Sequence, residues 1–586
     1  MKYIFILFLI PVYIFAAPPN AGSLMQNAKK QIDYQTLTNP IIKNTETIDE
    51  QLSPIKSIDE SDDHNRSSSK QVEPIKLKIT KREQKKEIYE PKVLVKNFKI
   101  TGNTMLSTAM LESSLDSFKN KRLTFKQIQI AIGSISNKYR SEGYTARTLL
   151  PPQEVINGEI KVVVLEGNLS GIDIDSTDLQ RFTPAQAKAI IENTHPVGEK
   201  LQTKNLERAL LILGDTPGIA LSSSLVAGEK AGDSKLKVKL EDASFYDVFV
   251  SYANGGAKST GSDMLTISSS LNSPFSMGEQ ITLQGMLSEG IKYIGGGFSY
   301  PILYNGLKIG FDASAMRYDV VEDIEADGEA QTIGTWISYP IIRSPRTNLN
   351  ITLKYDKKYY LNRVLETIVS DKNIQGVSVI LDGSHYDSMG QTNIRATFTR
   401  SKLDLTDVET DYLIDQATAE KNGSFSKLYL NIYRAQKLSD SAFLLLTANL
   451  QKSNKNLDSA EKLYLGGPSG VRAYPSNEAG GDEGYILNAE IVQNFTYALS
   501  GGIFYDLGEV KQHKILYEGW QGSSSVENSY KLRGAGVNLS YNYDTWSAKV
   551  TMAFKHGDNP NPQLDGSDND GTNKSPRFWF QLAKVF

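Results

Sequence analysis

Apolar and polar residues alternate along the C-terminal part of the chain, from about residue 245 to the last residue. A period of two predicts β-strands that present one apolar and one polar face. Many of the apolar positions are tyrosine or phenylalanine, so we expect this face to contact lipid and the polar face to line an aqueous lumen. The alternative is a soluble β-sandwich or propeller, whose strands alternate in the same way. The clearest apolar series are Tyr246, Val248, Val250 and Tyr252; Leu265 and Ile267; Ile281, Leu283 and Leu287; and Trp546, Ala548, Val550, Met552 and Phe554.

The end of the chain favours the membrane barrel. The residues from Phe578 to Phe586 alternate again, except that Lys584 breaks the apolar series, and a terminal phenylalanine after such a series is typical of outer-membrane barrels. Phe586 is therefore the candidate barrel-terminal signal. Bacterial barrels have an even number of strands, and residues 244–586 can supply sixteen strands of roughly ten residues each with their turns. The sequence thus predicts a transmembrane antiparallel β-barrel of sixteen strands over residues 244–586.

Upstream of the barrel, helical and strand patterns follow one another twice. Each series runs strand, helix, helix, strand, strand, and the first opens with a strand at residues 93–100. Each series contains a Thr-x-x-Gln capping box that begins a helix, at Thr124 in the first and at Thr183 in the second. We expect two small α+β domains in tandem, at residues 89–168 and 169–243.

The N-terminus is typical of a secretory signal, with Lys2 followed by an apolar run that ends at Phe15. This run is shorter than the roughly 20 residues that a spanning helix needs. We therefore predict a cleaved signal peptide at residues 1–16; the alternative is a membrane anchor.

Two further segments precede the α+β domains. Residues 17–35 contain a short helical pattern that places Leu24, Met25 and Ala28 on one side. Such a helix is too short to be stable alone. Residues 36–88 are polar and poor in aromatic residues, which predicts a flexible linker.

The residues that usually carry catalysis or bind metals form no recognisable group. The five histidines are not spaced as metal ligands, and the chain has no cysteine, no P-loop and no dinucleotide-binding fingerprint. The formal net charge of -3 gives no basis for nucleic-acid binding. We therefore predict no catalytic residue, no metal, no cofactor and no nucleic-acid partner, and an enzyme is the least supported class of protein.

One glycine-rich stretch, within a loop that we expect to fold into the barrel at residues 464–484, contains an arginine among apolar residues. A buried cation needs a partner, and Asp506 in a later strand offers one. We predict a loop-to-barrel latch in which Arg472 pairs with Asp506. The alternative is an exposed loop arginine and an ordinary strand-end aspartate. The loop motif comprises Gly470, Val471 and Tyr474 around this arginine, and the strand motif comprises Phe504 and Gly508 around the aspartate.

These motifs, in this order, resemble the outer-membrane transporters of two-partner secretion, the TpsB or haemolysin secretion/activation family. The stretch from Gly470 to Tyr474 resembles the family's Val-Arg-Gly-Tyr motif, with Ala473 where glycine is usual. If that position needs a positive φ, alanine costs energy and the loop tip is slightly reshaped. The α+β domains resemble the family's two POTRA domains, and the N-terminal segment resembles its plug helix. The matching segments are Tyr139–Gln153, Val164–Gly167, Leu206–Leu211 with Pro217–Gly218, and Pro19–Leu24.

The resemblance implies an outer-membrane transporter of a Gram-negative bacterium, with its POTRA domains in the periplasm. These domains would bind an unfolded TpsA-type exoprotein, which would cross the barrel pore to the cell surface. The exoprotein would be an adhesin, a haemolysin, a haem-binding protein or a toxin. The chain would work as a monomer among outer-membrane lipids, after insertion by the barrel assembly machinery, and residues 17–35 would plug the resting pore.

Two other functions remain open at this point. An outer-membrane assembly factor also combines POTRA domains, a barrel and a fastened loop, but it inserts other barrels into the membrane. A passive porin or ligand-gated uptake channel has the barrel alone, and the tandem α+β domains argue against it.

Overall fold

The computed structural model describes residues 20–37, 55–57, 91–177, 179–322, 325–521 and 526–586. The signal peptide expected at residues 1–16 lies outside the described residues, and so does most of the linker expected at residues 36–88. The chain divides into two compact units, residues 51–242 on the one hand and residues 1–50 with 243–586 on the other. The first described helix, α1 (Ala21–Leu37), belongs to the second of these units.

The unit of residues 51–242 contains two α+β domains with the same sheet topology. The first comprises β2 (Val93–Val95), β3 (Asn97–Thr101), α2 (Thr108–Ser113), β4 (Lys121–Leu123), α3 (Phe125–Ser141), β5 (Ala146–Leu149) and β6 (Glu159–Glu166). The second comprises β7 (Asn168–Asp175), α4 (Pro184–Thr194), α5 (Thr203–Gly214), β8 (Ile219–Ala227) and β9 (Asp233–Asp242), and β1 (Ile55–Ser57) joins its sheet. In each domain the last strand pairs in parallel with an early strand and antiparallel with the strand before it.

Local sequence signals explain where the helices begin. Thr124 and Thr183 each form a complete capping box with the glutamine three residues later. The strand predicted at residues 93–100 is instead two strands, because β2 pairs with β4 whereas β3 pairs with β6. The chain therefore passes from one sheet to another at Lys96.

The first domain encloses a buried carboxylate, Glu166, at the end of β6. It accepts hydrogen bonds from the backbone N–H of Thr104 (2.6 Å) and of Met105 (2.7 Å), and from the hydroxyls of Thr104 and Tyr139. Lys200, from the second domain, lies 3.4 Å away. Burial opposes ionisation of Glu166, but the hydrogen bonds from Thr104 and Met105 outweigh it and lower the pKa of the carboxyl to about 2.

Backbone hydrogen bonds connect the two domains of this unit. The N–H of Thr145 donates to the carbonyl of Leu201, and the N–H of Leu201 donates to the carbonyl of Gly167. The N–H of Thr203 donates to the carbonyl of Gly143, which has a φ of 85° and so requires glycine. Together with the ion pair of Lys200 and Glu166, these bonds fix the junction between the domains.

The other unit is a closed barrel of sixteen antiparallel strands, which confirms the fold that the alternation predicts. Its first eleven strands are β10 (Tyr246–Ala253), β11 (Met264–Asn272), β12 (Gln280–Leu287), β13 (Ile291–Pro301), β14 (Lys308–Asp319), β15 (Ala326–Arg343), β16 (Thr347–Val364), β17 (Thr367–Asp387), β18 (Gly390–Asp404), β19 (Gly423–Lys437) and β20 (Ala442–Ser453). A short ribbon of β21 (Leu463–Tyr464) and β22 (Gly480–Gly481) follows. The last five barrel strands are β23 (Glu483–Asn494), β24 (Leu499–Lys511), β25 (Ser529–Tyr543), β26 (Trp546–Lys555) and β27 (Arg577–Val585).

The barrel closes where its first and last strands meet. β10 pairs with β27 from Phe249 opposite Val585 to Ala253 opposite Gln581. The backbone N–H of the terminal residue Phe586 donates to the carbonyl of Val248 (2.9 Å), so the last residue extends this pairing by one bond. The long connections all lie at one end of the barrel, and one of them contains the helix α6 (Glu409–Ala417).

The lumen is partly apolar where α1 lies inside it. Asn20 begins this helix, because its side chain accepts a hydrogen bond from the N–H of Ser23 (3.0 Å). The helix buries Leu24, Met25 and Ile32 against lumen residues such as Tyr293. The sequence predicts a polar lumen, and this apolar region departs from that expectation because it receives the apolar side of α1. None of the described helices is long and apolar enough to cross a membrane.

We expect Glu166→Gln to destabilise the first α+β domain by about 1.5–3 kcal/mol at neutral pH, since the amide cannot replace a charged acceptor. The pKa of Glu166 is lower in the folded chain than the roughly 4.3 of an unfolded glutamate. Its contribution to stability is therefore present above about pH 4.3 and is lost as the pH falls towards 2. Hydrogen–deuterium exchange of α3 in the full-length chain measures both effects. Equal acid sensitivity of the variant and the wild type would contradict the assignment.

Candidate functional site

The connection between β20 and β23, residues 454–482, folds into the barrel; we call it loop 6. From the sequence we expect the inward loop at residues 464–484. In the structure the loop starts earlier, at residue 454, and ends before β23 begins at Glu483. Loop 6 forms a core with the barrel wall through buried residues that include Leu465, Val471 and Tyr474. The central part of the loop is thus packed like a protein interior and is not a solvated loop.

Arg472, at the tip of loop 6, is buried against the barrel wall. Its Nε and Nη2 donate to the two carboxylate oxygens of Asp506 at 2.9 and 2.8 Å, and its backbone N–H donates to the same carboxylate at 3.0 Å. The guanidinium carbon lies 3.4 Å from the centroid of the Phe504 ring, so the cation also stacks on an aromatic face. The structure therefore brings together Arg472, Asp506 and Phe504 of the sequence motifs.

A second carboxylate, which the sequence motifs did not include, completes the site. Nη1 of Arg472 donates to Glu490 on β23 at 2.6 Å. Asn538 on β25 donates to the other oxygen of Glu490 at 2.9 Å. Glu490 stands directly opposite Phe504 in the pairing of β23 with β24. Only this register brings it to the arginine, and the register of neighbouring strands is not written in the local sequence.

Two more side chains orient the site. Asn488 on β23 donates to Asp506 (2.8 Å) and to the carbonyl of Gly470 (2.9 Å), so it connects the loop with the wall. The indole N–H of Trp579 donates to the carbonyl of Arg472 at 2.7 Å. The loop tip is thus held through its backbone as well as through its guanidinium.

Glycines in the wall allow the tip to approach closely. A Cβ at Gly508 would lie 2.9 Å from Leu465 and 3.1 Å from Val471, which explains why the strand motif ends in glycine. A Cβ at Gly534 on β25 would lie 2.6 Å from the Cβ of Ala473. Ala473 is not among the described residues with a positive φ, so the strain considered for alanine at this position does not arise.

Residues 458–461, which we call the outer part of loop 6, contact both the wall and the helix α1. Glu461 pairs with Lys358 and with Lys427, each at 2.7 Å, and Asp458 pairs with Lys372 at 2.7 Å. On the side that faces α1, the hydroxyl of Ser459 donates to the side chain of Asn20 at 2.9 Å. A Cβ at Gly22 of α1 would collide with the methyl group of Ala460, so α1 packs closely against the loop at a glycine.

Among the residues that the structure describes, no group of three His, Asp or Glu side chains is placed to hold a metal ion. The buried charges of Arg472, Asp506 and Glu490 can hold loop 6 against the wall. Arg472 has every nitrogen of its guanidinium directed at a carboxylate, and both carboxylates have further donors. Breaking the arrangement leaves buried charge without a partner, which is costly because Arg472 and Asp506 are shielded from solvent.

A sixteen-stranded barrel with an inward loop, preceded by α+β domains, is the architecture of the POTRA-containing outer-membrane barrel proteins, and it places the chain in that class. A family model for haemolysin secretion/activation proteins of the ShlB/FhaC/HecB type matches residues 232–540, and one for ShlB-type POTRA domains matches residues 93–167. The first match covers more than half of the chain. The chain therefore belongs to the ShlB/FhaC/HecB haemolysin secretion/activation family.

Relatives and solved structures agree with this assignment. The heme/hemopexin transporter HuxB of Haemophilus influenzae is 25% identical over 83% of this chain and 85% of its own length. The outer-membrane transporter CdiB of Dickeya dadantii is 22% identical over 79% of this chain and 85% of its own. The solved structure of CdiB from Escherichia coli shares the fold, with a TM-score of 0.69 at 19% identity, over 98% of this chain and all of that one.

The chain is accordingly an outer-membrane transporter of the two-partner secretion type, with POTRA domains on the periplasmic side. The second α+β domain has the sheet topology of the first, and we refer to the two as the first and second POTRA domains.

Glu490→Gln should loosen the tip of loop 6 while the barrel stays folded, because Arg472 keeps Asp506 but loses one charge-assisted hydrogen bond. We expect a loss of about 1.5–3 kcal/mol, measured by urea unfolding in detergent micelles, together with faster protease cleavage of loop 6. Glu329→Gln is the matched control, since its pair with Arg363 is half-exposed and 3.6 Å long. Equal effects of the two substitutions would show that Glu490 does not hold the tip.

Gly534→Ala should displace the loop tip, because the new methyl group would meet the Cβ of Ala473. The double variant Gly534→Ala/Ala473→Gly removes that contact and should restore protease protection of loop 6. Gly285→Ala is the control, since the only non-local atom near its added Cβ is a carbonyl oxygen at 3.9 Å. If the double variant were as protease-sensitive as the single one, the close approach of the tip would not be the cause.

Proposed function

We propose that the protein binds an unfolded exoprotein at its POTRA domains and passes it through the barrel pore, while Arg472 holds loop 6 against the wall. The observation that carries this proposal is the buried cation with its two carboxylates at the tip of a loop inside the lumen. A loop that is fixed by buried charge keeps one shape in a channel that otherwise has to accommodate a moving polypeptide.

Helix α1 is proposed to close the resting pore. It lies in the lumen, and its side chains and backbone bond to the wall and to loop 6. The N–H of Ala21 donates to Asn362 at 2.8 Å, and Gln26 donates to the carbonyl of Lys462 at 2.9 Å. Both of these bonds are between neutral groups, and such bonds contribute less than the charge-assisted bonds of Arg472. We infer that α1 leaves during transport and that loop 6 stays.

The movement has to be driven without nucleotide hydrolysis, since the sequence has no P-loop. Folding of the exoprotein at the cell surface would prevent its return and so give the movement a direction. The resemblance of this chain to the heme/hemopexin transporter makes a haem-binding exoprotein the first candidate, ahead of an adhesin, a haemolysin or a toxin. We propose a functional monomer, inserted by the barrel assembly machinery.

The decisive experiment deletes the gene in its host and compares the proteins of the culture medium and of the outer membrane with those of the wild type. We expect one large exoprotein to disappear from the medium while other barrel proteins keep their levels. The alternative function, an outer-membrane assembly factor, predicts a general fall in barrel proteins. That outcome would overturn the proposal.

Deletion of residues 17–35 should raise the conductance of the pore, because most of α1 then no longer occupies the lumen. We expect larger and more frequent openings in planar lipid bilayers than for the intact chain. Lys29→Ala is a suitable control, since it removes a single 3.3 Å bond to Thr332 and leaves the helix in place. Conductance that does not change on deletion would exclude α1 as the plug.

A further inference from the structure

A short strand from the linker occupies one edge of the second POTRA domain. The sheet order is β1, β8, β9, β7, so β1 covers the edge strand β8. It pairs in parallel, with Ile55 opposite Ser223, Lys56 opposite Ser224 and Ser57 opposite Leu225. β8 has nine residues, and β1 has only three. Most of this edge is therefore left without a neighbouring strand from β1.

β8 lacks the features that usually protect an edge strand. Its sequence, Ile-Ala-Leu-Ser-Ser-Ser-Leu-Val-Ala, contains no charged residue and no proline. The opposite edge strand, β7, carries Asp173 and Asp175, and its register shifts between Leu169 and Gly171. An irregular, charged edge resists further pairing, whereas a long, neutral edge accepts it.

The edges of the first POTRA domain are shorter and better protected. Its three-stranded sheet has β3 and β5 as edges. β3 carries Lys99, and β5 has only four residues, one of which is Arg147. Two prolines follow β5, at Pro151 and Pro152, and these cannot donate to a further ladder. Compared with β3, β5 and β7, β8 is thus the edge best suited to an added strand.

The two faces beside β8 indicate what kind of strand fits. On one face, Lys235, Lys237 and Lys239 of β9 stand opposite Val226, Ser224 and Ser222. On the other face, Leu221 and Leu225 of β8 are only partly buried. Glu229 and Glu241 pair with two of the lysines. An added strand with apolar residues on the leucine side and acidic residues on the lysine side would match both faces.

We propose that β8 is the docking edge for an extended segment of the exoprotein, with alternating apolar and acidic residues, and that residues 55–57 cover it at rest. This inference rests on the proposed function. The three parallel residue pairs hold β1 on β8 only weakly. Parallel pairing is slightly less stable than antiparallel pairing, and fixing the backbone of residues 55–57 costs conformational entropy. A segment that pairs along all of β8 displaces β1 and adds its strand to the sheet.

The first test measures binding to the full-length chain in detergent micelles. The probes are two fluorescein-labelled nonapeptides, one of alternating valine and glutamate and one of alternating valine and lysine. The protein is the double variant Lys56→Cys/Ser224→Cys, whose cysteines stand opposite each other in a chain with no other cysteine. We expect the disulfide to form on oxidation. We also expect the glutamate peptide to bind the reduced form about tenfold more tightly than the oxidised form, and more tightly than the lysine peptide.

Three outcomes would overturn the proposal. A disulfide that does not form would show that β1 does not cover β8. Equal binding to the oxidised and reduced forms would show that β8 is not the binding edge. Equal binding of the glutamate and lysine peptides would contradict the assigned chemistry.

The second test measures secretion in the host, where the periplasm oxidises the two cysteines. We expect the double variant to release about tenfold less exoprotein than either single variant. The same comparison is made in a chain that lacks residues 17–35, where the disulfide covers β8 but can no longer retain α1. A loss that persists there supports the proposal, and a loss that disappears overturns it. If the wild type itself exports no exoprotein, the proposed function fails, whereas normal export by the disulfide-bonded form refutes only this inference.

Discussion

The structure of the barrel interior depends on one buried cation. A guanidinium that leaves water loses its hydration, and only charged acceptors with good geometry compensate for that loss. Arg472 has such acceptors on two neighbouring strands, Asp506 on β24 and Glu490 on β23, and the ring of Phe504 beneath its plane. The cation therefore fixes the tip of loop 6 to a single place on the wall, and the glycines at 508 and 534 keep that place free of side chains.

Two separate regions of loop 6 form ion pairs with the barrel wall. Its tip is fixed by Arg472, and its outer part is fixed by Asp458 and Glu461, which pair with lysines of the wall. The outer part also contacts α1, whose Ala21 and Gln26 donate hydrogen bonds to neutral groups. The proposal that α1 leaves the lumen during transport while loop 6 stays rests on this difference between charge-assisted and neutral hydrogen bonds.

Local patterns in the sequence predict much of this fold, because their physical basis is local. A period of two identifies the barrel strands, and the capping boxes at Thr124 and Thr183 identify helix starts in both POTRA domains. The pairing of Arg472 with Asp506 is present in the structure, while its role in transport stays a prediction. Glu490, Asn538 and Trp579 could not be predicted, because their approach to Arg472 depends on strand register and barrel closure. The same holds for the apolar lumen around α1 and for the pairing of β1 with β8.

The most direct test of the role of Arg472 is the amount of exoprotein that Arg472→Ala exports. The variant is compared with the wild type and with Arg317→Ala, an exposed arginine on β14, and the folded barrel is quantified by its faster migration in unheated gel samples. We expect a folded barrel at normal level and export reduced at least about tenfold, because the buried carboxylates lose their partner and the tip is released. Normal export by a variant with a normal amount of folded barrel would contradict the role of Arg472 in transport.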